Sequence, residues 1–127
     1  MRVALDASAL MMPVEADVRV FDELDRVLGD YEPVVPAAVR AELGRLAASS
    51  GEAARAARVG RDLADRCGSV EHPEPESYGD DALVGLATRG EVDAVVTNDA
   101  PLRERLLACG VPVIHLRGRN KLQRTLP

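Results

Sequence analysis

The apolar positions of the chain follow two alternating rhythms. Short runs rich in valine, Arg2–Leu5, Glu32–Pro36, Asp93–Thr97 and Val111–Leu116, have the length and residue types of strands. Between them, apolar residues return every three or four positions. Val18, Phe21, Leu24, Val27 and Leu28 predict an amphipathic helix over 17–28 that Gly29 closes, and Val39, Leu43 and Leu46 predict a second from Pro36 to Ala48. Ser49-Ser50-Gly51-Glu52 is a start signal for a third helix, Glu52 to Cys67, packed through small side chains. Two more are predicted over 78–89 and 101–109, the latter opened by Pro101 and closed by Gly110. The stretch through Met12 and Pro13 reads as a polar, proline-marked turn, 68–77 as a surface loop, and RGRNKLQRTLP as a loosely held basic tail.

Apolar strands alternating with helices predict an α/β fold whose parallel sheet is covered on both faces. Ligands of such sheets bind beyond the carboxyl ends of the strands. Acidic residues stand at these edges: Asp6 after the first strand, Glu42 at the margin of a helical stripe, Asp80 and Asp81 in a first helical turn, and Asp99 after DAVVT. Each has an ordinary structural reading: a turn or cap for Asp6, an exposed helix position for Glu42, a complement to the helix dipole for Asp80 and Asp81, and an N-cap for Asp99. Their joint placement points further, because a carboxylate at the edge of a core is costly without a cation. Carboxylates sharing one cleft suit a hard divalent ion, magnesium or manganese, which takes oxygen ligands. Such ions activate a water and stabilise charge on a scissile phosphate.

Composition narrows the classes. At 127 residues, 46% of them apolar, the chain fits one domain with a single core. It contains neither a run long and apolar enough to cross a membrane nor a basic stretch leading into a long apolar one, so it reads as cytoplasmic. Cys67 and Cys109 lack the spacing of a zinc site and read as reduced thiols, and His115 in VPVIHLR reads as a strand-end histidine. The net charge of −5 argues against tight nonspecific binding to nucleic acid, although a local arginine patch could still hold it. Arg40, Arg45, Arg55, Arg58, Arg61, Arg117, Arg119, Lys121 and Arg124 are the basic residues placed to flank an acidic cleft. With so few aromatics, base stacking is not expected to dominate. No glycine-rich phosphate loop is present, Ser8 stands where a haloacid-dehalogenase-type phosphatase needs a second Asp, and the only lysine lies too late for a phospho-receiver.

VALDASAL with Asp6, PAAVRAEL with Glu42, YGDDALVGLA with Asp81 and VVTNDAPLRERL with Asp99 together resemble the PIN-domain ribonuclease family, and the resemblance runs from Arg2 to Arg117. It implies a three-layer α/β domain over 1–117 with a central parallel sheet flanked by helices, and a basic C-terminal tail over 118–127. It also implies a magnesium- or manganese-dependent endoribonuclease in which Asp6, Glu42, Asp81 and Asp99 are catalytic and hold metal, with Asp80 a neighbouring ligand. Asp81 is preferred to Asp80. Ser8 and Thr97 match positions where the family often carries a small hydroxyl, which would orient the acids or metal waters. RNA is the implied substrate, with Arg45, Arg55, Arg58, Arg117, Arg119 and Lys121 as contacts, and PIN relatives often form homodimers.

The Asp-Asp pair, the GVPVI strand and the Arg-Gly tail look closest to archaeal relatives of the PIN nuclease that processes small-subunit ribosomal RNA. VapC-type toxins are the neighbouring subfamily. The partner would then be a ribosome-assembly factor in one case and an antitoxin in the other. A PIN-like module that binds RNA or protein without cutting is the reading from a different class.

Overall fold

The computed structural model describes residues 1–70 and 79–127. In chain order its elements are β1 (Arg2–Leu5), α1 (Ala7–Glu15), α2 (Val20–Leu28), β2 (Glu32–Pro36), α3 (Ala37–Ala47), α4 (Glu52–Ala64), β3 (Gly68–Val70), α5 (Gly79–Thr88), β4 (Ala94–Val96), α6 (Ala100–Ala108), β5 (Val113–Arg117) and β6 (Lys121–Thr125). The strands form one sheet in the order β3-β2-β1-β4-β5-β6. The first five run parallel, and β6 pairs antiparallel with β5.

Strand order makes the carboxyl end of β1 special. From β1 the chain steps to β2 and β3 on one side, then crosses back to β4 and β5 on the other. Crossovers of one hand place the helices of opposite steps on opposite faces of the sheet. The main packing follows this rule: α1 and α3 both pack extensively on α4, whereas α5 touches α6 and also meets α3. The connections leaving β1 and β4 therefore diverge, which opens a crevice between these two strands at their carboxyl ends.

The central strands are buried on both faces: Val3, Leu5, Val34, Val35, Val95, Val96, Val113 and Ile114 all lie in the core. Two prolines in β2 are tolerated because of register. Pro33 lies opposite Val3 of β1 before β3 begins to pair, and Pro36 lies opposite Val70 of β3 beyond the β1 pairing. Close approach of α1 to α4 depends on small residues, Ala56, Ala57, Gly60 and Ala64. A Cβ on Gly60 would stand 2.9 Å from the Leu10 carbonyl oxygen, so glycine is required there by contact with backbone.

Three expectations are corrected. The proline-marked turn is helix α1, started by Asp6, whose side chain accepts the Ala9 amide as an N-cap. The surface loop begins with a strand, Gly68–Val70, and the rest of that stretch, like Tyr78 of the following helix, lies outside the described residues. The basic tail is not loose: Lys121–Thr125 is the edge strand β6.

What holds β6 is polar. The buried Glu23 of α2 accepts the Leu122 amide at 2.9 Å and the Arg26 guanidinium at 2.8 Å, while Arg26 also donates to the Leu122 carbonyl at 2.7 Å. The ammonium of Lys121 stands 3.8 Å away. These donors hold the Glu23 carboxyl down at about 2, with the Arg26 hydrogen bond the largest cause. On the other face of the hairpin, His115 Nε2 and the Thr125 hydroxyl are hydrogen-bonded at 2.6 Å.

Candidate active site

The crevice between β1 and β4 is built around Asp6. Its side chain is buried, and all its direct partners are neutral donors. One oxygen accepts the Ala9 amide at 2.8 Å and the Ser8 hydroxyl at 2.7 Å; the other accepts the Thr97 hydroxyl. Both hydroxyls are oriented in turn by backbone from the loop after β4. Asn98 N–H donates to Ser8 Oγ at 2.9 Å, and Asp99 N–H donates to Thr97 Oγ1 at 3.0 Å. Each hydroxyl thus accepts from an amide and directs its own proton to Asp6. The loops after β1 and β4 are tied together through this carboxylate.

Burial nonetheless dominates its chemistry. Desolvation raises the Asp6 carboxyl to about 6; the bonds from Thr97, Ala9 and Ser8 oppose the rise, and the charge of Asp80 adds to it. Asp80, half-buried at the start of α5, is also raised, first by burial and then by the charge of Asp99, with Arg105 pulling the other way. Asp99 caps α6, accepting the Leu102 amide at 3.1 Å. The charge of Asp80 thus reaches Asp6, and that of Asp99 reaches Asp80.

The neighbouring residue of the doublet does something else. Asp81 is exposed and accepts from the Arg105 guanidinium at 2.9 Å. Both members of the doublet border the same cleft: the charge of Asp80 acts on Asp6, and Asp81 is bridged to α6. Glu42 stands on the opposite wall, where its Oε2 would meet a Cβ on Gly79 at 3.4 Å. Glu42, Arg45, Gly79, Asp80, Asp81 and Arg105 line a cleft of about 400 Å³, which is linked to the buried carboxylate through Asp80. Among the described residues, no group of three or more His, Cys, Asp or Glu side chains is drawn together closely enough to hold an ion by itself.

The donor set still fits a hard cation. Its candidate ligands are carboxylate oxygens, and magnesium usually takes one or two of these together with waters rather than an all-protein cage. The upward shifts of Asp6 and Asp80 come first from burial and then from neighbouring acids, and a cation placed among these carboxylates would oppose both causes.

The basic candidates separate clearly. Arg45 lines the cleft, and Arg117 ends β5 at the carboxyl edge of the sheet. Arg58 is spent on the end of α3, donating to the Ala47 and Ser49 carbonyls, and Arg40 donates to the Cys67 and Gly68 carbonyls. Arg55 pairs with Glu52, Lys121 stands by Glu23, and Arg119 lies in the β5–β6 turn. Arg105 was not among the candidates read from sequence, although it sits in the same NDAPLRERL segment as Asp99.

Residues 3–119 match the family model described as PIN like domain. The chain belongs to the PIN-like domain family. A search of curated proteins finds none that matches it. Among solved structures, that of the PIN domain endonuclease Utp24 resembles this PIN-like domain with a TM-score of 0.81 at 22% identity, over 99% of this chain and 92% of that one. At that identity the likeness is one of fold. Among its described residues, this PIN-like domain has no helix long and apolar enough to cross a membrane.

Proposed function

We propose that this PIN-like domain is a magnesium- or manganese-dependent endoribonuclease. The observation that carries the reading is Asp6: a buried carboxylate at the switch point of a parallel sheet, held by two oriented hydroxyls and an amide, with Asp80 and Asp99 across the crevice. Asp6, Asp80 and Asp99 would hold the metal, and Glu42 on the facing wall would orient the attacking water. When bound, the metal supplies electrophilic stabilisation of the scissile phosphate and of that water. Ser8 and Thr97 fix the Asp6 carboxylate, and the burial of Asp6 keeps its inner side dry. Arg45, which lines the cleft, and Arg117, at the carboxyl end of β5, would contact the RNA backbone. Processing of ribosomal RNA in the cytoplasm is the role we favour, on the likeness of YGDDALVGLA and the segments after it to that branch of the family.

The test is cleavage of a single-stranded RNA in manganese by the wild-type protein and Asp6→Asn. Cutting by the wild type that falls at least a thousandfold in the variant is expected, a loss of roughly 4 kcal/mol in transition-state stabilisation. Equal rates would sink the mechanism.

A second reading, a module that binds RNA or protein without cutting, is favoured by one observation: the Asp81–Arg105 bridge engages one of the four acids that the family resemblance implies as catalytic. Calorimetric titration with manganese separates the two. The absence of binding at millimolar metal would select the non-cutting module.

A further inference from the structure

We infer that Arg105, with Arg45 across the cleft, is the phosphate-positioning residue of this site, exchanging Asp81 for a backbone phosphate of single-stranded RNA. The inference rests on the nuclease reading for the reaction, but its own content is a contact with RNA.

Three observations lead there. The cleft of about 400 Å³ is lined by two guanidiniums as well as by acids. A cleft of acids alone would repel a polyanion; Arg45 and Arg105 give it cationic walls. Second, the two arginines are available. Arg45 makes no ion pair among the described residues, and the bridge from Arg105 to Asp81 is one short contact between side chains 48% and 55% exposed. Exposed pairs of this kind are weak, so exchange of Asp81 for a phosphate costs little, and a guanidinium can grip phosphate through two parallel bonds. Third, the two guanidiniums come from different helices, Arg45 from α3 and Arg105 from α6, so the cleft is offered cationic groups by two separate elements.

The position on α6 adds a reason for Arg105. Asp99 caps the first turn of this helix and Arg105 lies six residues later, about 9 Å along its axis. The same rigid helix therefore carries a candidate metal ligand at one end and a phosphate contact further along. A phosphate held by Arg105 is spaced from the reacting one by the helix itself. Exchange also frees Asp81 and leaves Asp80 with less positive charge nearby, so RNA and a divalent ion would enter the cleft together.

The experiment uses a fluorescein-labelled, mixed-sequence, single-stranded RNA of twenty nucleotides. Binding is measured by anisotropy in manganese, in an Asp6→Asn background that does not cut, and kcat and KM are measured without that substitution. Arg105→Ala should weaken binding about tenfold at all sequences and lower the slope of log affinity against log salt by about 0.7. KM should rise more than kcat falls. Arg105→Lys should keep the salt slope while recovering part of the affinity, which distinguishes a phosphate contact from a folding defect. Arg19→Ala, which removes the same charge from the start of α2 outside the cleft, should bind as the parent does. Binding by Arg105→Ala that matches Arg19→Ala in affinity and slope overturns the inference. Wild-type protein that binds this RNA without cutting it removes the nuclease reading instead, and the binding constants still decide the role of Arg105.

Discussion

Two buried acids, Asp6 between β1 and α1 and Glu23 on α2, have opposite chemistry. Asp6 is 5% exposed and Glu23 7% exposed, yet the first carboxyl is raised to about 6 and the second lowered to about 2. Both accept several hydrogen bonds, so hydrogen-bond satisfaction does not separate them. Two causes do: desolvation acts most strongly on Asp6, and the neighbours of the two acids differ in sign. Glu23 has a guanidinium in hydrogen-bond contact and an ammonium nearby, and its bonds tie β6 to α2. Asp6 has two hydroxyls and an amide, and the nearest charge acting on it is another carboxylate. A fold that needed Asp6 only as the cap of α1 would gain nothing from Asp80 across the crevice. The contrast marks Glu23 as structural, and it is the reason Asp6 is the residue on which the proposed metal site turns.

The largest break in this comparison is Asp6→Asn, which should remove cleavage without lowering stability at neutral pH. Asn cannot accept at both positions, so one hydrogen bond to Thr97 is lost, but the buried charge is lost with it. A melting temperature at pH 7.5 equal to or above that of the wild type in chelator is expected. A marked fall would mean that Asp6 is structural in the sense that Glu23 is.

Titration sharpens the contrast, because the two acids act in opposite directions. For metal-free protein, Asp6 binds its proton more tightly folded than unfolded, so its ionisation destabilises the fold as pH rises from about 4 to about 6. The shift corresponds to about 3 kcal/mol. Glu23 has a depressed folded value, so its contribution is present above the unfolded range near 4.5 and is lost as pH falls toward about 2. Denaturant midpoints of wild type and Asp6→Asn should therefore converge on going from pH 7 to pH 4. Those of wild type and Glu23→Gln should converge only below pH 4. Parallel curves for either pair would contradict the assignment.

At neutral pH, Glu23→Gln should cost about 2 kcal/mol, since it places an amide donor against Arg26 and weakens a charge-assisted bond. Hydrogen exchange should localise the loss to β6. Thr97→Val, the counterpart at the other site, keeps the shape but removes the hydroxyl that bridges Asp6 and the Asp99 amide. Manganese affinity should then fall by about tenfold to a hundredfold, measured by calorimetry, with a smaller change in stability.

The same contrast explains which parts of the molecule were legible in the sequence. Valine-rich runs gave four of the strands because the central sheet is buried on both faces; helical spacing located α2 and α3, start and stop residues located α4 and α6, and the helix expected over 78–89 is α5. Helix α1 was hidden because its residues are apolar almost throughout, leaving no polar face to reveal a period, and Pro13 resembled a turn. Strand β6 was hidden because Leu122 is its only fully buried residue and its attachment is the Glu23 latch, which no local pattern encodes. The candidate acids were visible as residues at strand ends. Asp80 and Asp81, however, are adjacent on a helix and point about 100° apart, so the choice between them depends on the phase of α5 against β1 and α6. Arg105 was missed for the same reason: its neighbour is on another helix.

Lys121→Ala is the smallest expected effect and isolates what makes a buried acid structural. Lys121 is the only lysine of the chain, and its ammonium stands 3.8 Å from Glu23 with the side chain 64% exposed. A pair at that distance and exposure is screened by solvent and contributes at most about 0.5 kcal/mol. Arg26, by contrast, reaches both the carboxylate and the Leu122 carbonyl, so the latch closes without Lys121. A melting temperature within a degree or two of the wild type is expected, with the protection of β6 amides unchanged. A loss as large as that of Glu23→Gln would show that net positive charge near Glu23, rather than hydrogen-bonded contact, sets its low value. The argument for Asp6 would then shift from its neutral donors to its distance from any cation, and Arg105, which already opposes the charge on Asp80, would become the residue to move closer.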